Sequence, residues 1–77
     1  MTEKKFRDFI LDYPGEVSFT FKGENGMIIL LPDGKRELVH GKTDVKADCI
    51  EEVIELPVFD GRSFVEIRNE LSMLERI

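Results

Sequence analysis

Hydrophobic positions in this chain recur first at helical spacing and then at strand spacing. Phe6, Phe9, Ile10 and Tyr13 fall at i, i+3, i+4 and i+7, one face of a helix over Thr2 to Tyr13, while Lys4, Lys5, Arg7, Asp8 and Asp12 lie mostly elsewhere. Thr2 suits the N-cap and Glu3 the positive first turn. Pro14 and Gly15 end that helix, because proline drives its predecessor out of helical angles. From Val17 the period drops to two. Val17, Phe19 and Phe21 alternate with Ser18, Thr20 and Lys22, a half-buried strand. Asn25-Gly26 then predicts a two-residue hairpin turn, since both residues tolerate the positive φ of a type I′ turn. The next strand, Met27 to Leu31, is apolar on both faces, the pattern of a central strand packed on each side or of one whose outer face meets a partner. Pro32-Asp33-Gly34 makes another turn, and a more polar third strand, Lys35 to His40, reads as an edge guarded by Lys35 and Arg36.

Beyond Gly41, Ile50, Val53 and Ile54 return to helical spacing, and Asp48 with Glu51 makes a helix start, so a short helix over 49–55, stopped by Pro57, is favoured over a strand. Ser63 followed by Glu66 is a capping box: the hydroxyl accepts from one backbone N–H and the carboxylate from the other. Asp60-Gly61 is the turn before it. Phe64, Ile67, Leu71, Leu74 and Ile77 behind it form one stripe, which predicts a C-terminal helix. The fold class that follows is α+β: an N-terminal helix, a three-stranded antiparallel β-meander over about 16–40, an acidic short helix or strand, and a C-terminal helix packed on the sheet. One domain over residues 1–77 is expected, with no repeat, linker or low-complexity tract.

Composition narrows the functions available. A chain of 77 residues buries only about 60% of the surface its unfolded form exposes, so its core must be economical. With 42% hydrophobic and 35% charged residues it is composed like an ordinary globular domain. The single cysteine, Cys49, excludes an internal disulfide, and with no basic-then-apolar leader a reducing cytoplasm is the expected location. No apolar run approaches the roughly 20 residues that cross a bilayer, so no membrane association is expected. Asp44, Asp48, Glu51, Glu52, Glu55 and Asp60 face one base, Lys46, so that short stretch alone carries the whole formal net charge of −5. Phosphate backbones repel such a chain, which argues against direct nucleic-acid binding.

Catalytic and metal chemistry lack their side chains. Gly41-Lys42-Thr43 resembles the end of a phosphate loop, but the glycine that loop needs at position 36 is Arg36. His40 and Cys49 are single, too few for a structural zinc site, and the acids lack calcium-loop spacing, so neither a metal nor a cofactor is expected. A nucleophile would require Ser63 or Cys49 beside His40, yet Ser63 is committed to a cap and Cys49 sits in an apolar pattern. Phe19 and Phe21 alternate into the core rather than forming a stacking platform. Phe59, beside Val58 in a loop, either staples the last helix or is presented outward as an interface anchor.

The expectation is therefore a small acidic, non-enzymatic binding or regulatory protein, an inhibitor or accessory factor that engages the basic surface of a protein partner. Asp44, Asp48, Glu51, Glu52, Glu55, Phe59 and Asp60 are its candidate contact residues. The alternative is a structural or self-assembling protein, a homodimer or subunit of a larger complex, in which a second copy covers the two-sided strand.

Overall fold

The computed structural model describes all 77 residues, in the order α1 (Glu3–Leu11), β1 (Val17–Phe21), β2 (Glu24–Leu30), β3 (Arg36–His40), β4 (Thr43–Ala47), α2 (Ile50–Val53), a single 3₁₀ turn (Arg68–Glu70) and β5 (Leu71–Arg76). The strands form one antiparallel sheet in the order β4-β3-β2-β1-β5. The α+β class holds, with five strands instead of three and a strand where a C-terminal helix was expected. α1 is as its pattern predicts: Thr2 caps it, its hydroxyl accepting from the Lys5 N–H at 3.2 Å, and Phe6 and Ile10 are buried completely. α2 is a single turn, and it buries Val53, with Ile54 just beyond it.

The first correction concerns the hairpin. Its turn is Lys22-Gly23, both at positive φ (52° and 76°), and Asn25-Gly26 lies inside β2. A turn at Asn25-Gly26 would slide the strands by six residues, setting Phe19 opposite Pro32 and taking it away from Gly26. The observed register instead sets Phe19 opposite Gly26, where a Cβ would collide with the Phe19 ring and lie 2.7 Å from the Val39 carbonyl oxygen. Gly26 is therefore glycine for lack of space, and Asn25 accepts a hydrogen bond from the Thr20 hydroxyl across the strands at 2.8 Å.

The second correction is that β3 is not an edge. Thr43, Val45 and Ala47 alternate inward against Asp44 and Lys46, and β4 pairs with β3 from Arg36↔Ala47 to His40↔Thr43. The short β4, carrying Lys46, becomes the guarded edge.

The third is the C-terminal helix. The capping box forms as predicted, with the Ser63 N–H donating to Glu66 Oε1 at 2.9 Å and the Glu66 N–H to Ser63 Oγ at 3.2 Å, but it caps only a turn. The chain then opens into β5, which pairs with the free edge of β1. A bulge explains the misleading spacing. Phe21 pairs with Leu71 and Thr20 with Met73, so Ser72 is the extra residue and Leu71 and Leu74, three apart, both reach the core.

Both helices and the connection from 48 to 70 pack on one face of the sheet. The core there joins Val17, Phe19, Phe21, Ile28 and Leu38 of the strands to Phe6, Ile10, Val53, Ile54, Phe59, Phe64, Val65 and Ile67. Arg7 ties the helices together, its Nη2 lying 2.6 Å from Glu55.

Two substitutions test this arrangement by thermal unfolding. Gly26→Ala should destabilise by about 1–3 kcal/mol through overpacking against Phe19 and Val39, although its φ is ordinary. Ser63→Ala should cost about 1 kcal/mol, a fall in Tm of about 4–8 °C for a domain this size. An unchanged Tm for Gly26→Ala would contradict the observed register.

Candidate interaction surface

The acidic stretch is contiguous in sequence but divided in space. Asp44 lies on the open face of β4, Asp48 at the corner between β4 and α2, Glu51 and Glu52 on the exposed side of α2, Glu55 just past its end, and Asp60 at the tip of the turn beside the β1–β2 hairpin. Three of them meet cations from elsewhere: Asp48 with Lys35 at 3.9 Å, Glu55 with Arg7 at 2.6 Å and Asp60 with Lys22 at 3.5 Å. Glu51 and Glu52 remain as solvated charge. No group of three or more metal-ligating side chains is gathered anywhere.

Phe59 is only 3% exposed, so it is not an outward anchor in the folded state. The Phe59 N–H donates to the Arg62 carbonyl and the Arg62 N–H to that of Phe59, around Asp60 and Gly61 at φ 55° and 85°. That tight turn drives the ring edge-on into Phe21, 5.4 Å between centroids. His40 completes the cluster, stacked on Phe19 at 5.6 Å, with its Nε2 3.2 Å from the Phe21 carbonyl oxygen. A cleft of about 560 Å³ opens above them between Lys22, Lys42, Thr43 and Val58. Ser63 is engaged by the Glu66 amide, and Cys49 sits at the start of α2, so neither is joined to His40 as a nucleophile with its base.

The side of the sheet that no element covers holds a different set. Register places Ser18 and Thr20 of β1, Asn25, Met27 and Ile29 of β2, Glu37 and Val39 of β3, Asp44 and Lys46 of β4, and Met73 and Glu75 of β5 on this face. Met27 pairs with Val39 and Met73 with Thr20, so Ile29, Val39, Met27 and Met73 make a half-buried apolar stripe that runs from β3 to the edge strand β5 and is interrupted on β1 by Ser18 and Thr20. A shallow trough of about 730 Å³ runs along it. Carboxylates border both ends: Glu37 and Asp44 on one side, Glu75 beyond Ser18 on the other. The two-sided apolar run in β2 signals an outward apolar row, and the observed register assigns it to Met27 and Ile29. Val39 and Met73 could be found only by placing β3 inside the sheet and reading 71–76 as a strand.

Neither protein-family models, nor curated proteins, nor solved structures yield a match to this chain.

Two carboxylates respond oppositely to their surroundings. Glu37 holds its proton more tightly than the ordinary value near 4.5, chiefly because its carboxyl hydrogen-bonds to that of Asp44, with desolvation and repulsion by Asp44 adding to it. Glu70 is held below that value by its hydrogen bonds from Arg62, whose Nη2 lies 3.2 Å from Oε1. The folded state therefore binds the Glu37 proton in excess, a penalty that is absent below pH 4.5 and grows as pH rises through the folded value. Glu70 contributes stability that is present above 4.5 and lost as pH falls through its lowered value. At pH 7, Glu37→Gln should raise the Tm and Glu70→Gln lower it. In a thermal scan series, the gap between the two variants should close as pH drops below 4.5.

Proposed function

We propose that this chain is a small non-enzymatic binding protein, an inhibitor or accessory factor that acts by presenting the open face of its sheet to a protein partner with a basic surface. The observation that carries the reading is the stripe of Ile29, Val39, Met27 and Met73 on a face that both helices leave bare. A solvent-facing position on a central strand is ordinarily polar, and these half-buried apolar side chains keep part of their area open for a partner to cover. Such a stripe, bordered by polar groups, has the anatomy of a protein contact: apolar at its centre and charged at its rim. The carboxylates Glu37, Asp44 and Glu75 supply charge that steers a cationic surface into register. Of the acids read from the sequence, Asp44 alone shares this face, and Glu51 and Glu52 add long-range attraction from the far side of the sheet. A reducing, cytoplasmic setting belongs to the same reading and is supported by the unpaired Cys49.

Photo-crosslinking inside the source cells tests it. A photoreactive phenylalanine analogue installed at Met27 or Met73 should give one reproducible protein adduct, and the same analogue at Glu51 on α2 should not. Adducts confined to Glu51 would return the function to the acidic helix. Adducts at none of the three would remove the docking face.

A further inference from the structure

Taking the open face as a docking surface, we infer that its occupant is an extended segment of another protein, about four apolar residues long and flanked at both ends by Lys or Arg, and not a second copy of this chain. Size argues first. Five strands about 4.8 Å apart and about five residues long present on the order of 350 Å². A patch of this size is small for a stable homodimer, whose interface buries roughly 1,200–2,000 Å² of accessible surface, and suits the weaker, transient contact of a short segment. Charge argues next. Glu37, Asp44 and Glu75 outnumber Lys46 on this face, and Lys46 already stands opposite Glu37 in the ladder. A two-fold pairing of the face with itself would bring acid-rich rims together, and like charges meeting at an interface oppose association.

A cationic flank does the reverse. Glu37 and Asp44 are diagonal neighbours on adjacent strands, so one incoming ammonium or guanidinium would meet both carboxylates. The stripe sets the length of the occupant. From β3 to β5 is three strand spacings, about 14 Å, which an extended chain covers in about four residues. Its basic flanks then reach Glu37 and Asp44 at one end and Glu75 at the other. Met27 and Met73 make the floor adaptable, so the apolar centre is selected by length and greasiness more than by shape.

Three synthetic peptides test the inference by amide chemical-shift mapping on the full chain: four alternating valines and leucines with two lysines at each end, the same centre with glutamates, and a serine centre with lysines. The lysine-flanked apolar peptide should shift residues around Met27, Ile29, Val39 and Met73, and it should bind about tenfold more tightly than either control. Asp44→Asn with Glu75→Gln should weaken it several-fold, as should raising salt from about 0.05 to about 0.5 M. Equal binding of the glutamate-flanked peptide, or indifference to those two variants, would overturn the basic occupant and leave the docking face standing. Sedimentation showing a dimer that Ile29→Asp disperses would overturn it in favour of a second copy. Silence of the face to every peptide, in a monomer that also gives no adduct at Met27 or Met73, would remove both the occupant and the surface.

Discussion

Phe19 packed against a bare backbone at Gly26 is the contact from which the rest of this structure follows. The ring is completely buried and lies edge-on to Phe64, 4.8 Å between centroids, with Phe59 and His40 on its other sides. A side chain at residue 26 would push it away, so the pairing of β1 with β2 is fixed by the absence of a Cβ. Once that register is set, the two-residue turn falls on Lys22-Gly23, and Lys22 adopts an unfavoured positive φ because sliding the strands would sacrifice the packing of Phe19. Local turn preference is worth less than a buried aromatic.

The same register sorts every residue of the sheet onto one of two faces. Phe19, Ile28 and Leu38 fall on the side that α1, α2 and the 48–70 connection cover. Met27, Ile29 and Val39 fall on the other by the same two-residue alternation, and nothing in the chain is left to cover them. A domain this small cannot supply a second layer of helices, and its core uses both the helices it has. An apolar outer row in such a molecule is thus either idle or reserved for contact, and the proposed docking face takes it as the latter.

Charge is redistributed in the same way. Six acids close together in sequence end on a strand face, a corner, a helix and a turn tip, because β4, α2 and the turn at Asp60 point them apart. Lys35, Arg7 and Lys22 answer three of them across the fold, and these exposed pairs hold elements in place without large energies. A charge run in a sequence is consequently a poor map of a charged surface.

Much was legible from local rules alone. Spacing gave α1, Thr2 its cap, alternation the strand β1, a two-sided apolar run the body of β2, Asp60-Gly61 its turn, and Ser63 with Glu66 a capping box that forms with both its hydrogen bonds. Each of these depends on residues within a few positions of one another. The fate of 71–76 does not. Leu71 and Leu74 sit three apart for a helix or for a bulged strand equally well, and only the open edge of β1 decided for the strand. Val39 and Met73 likewise became part of one surface only when distant strands were laid side by side, and Phe59 was drawn inside by Phe21, nearly forty residues away. Local pattern settled α1, β1, the capped turn at Ser63 and the two-sided apolar character of β2. Tertiary structure decided strand order, strand edges and the bare face, because hydrogen-bond partners across a sheet are chosen by burial and register between segments that no short-range pattern connects.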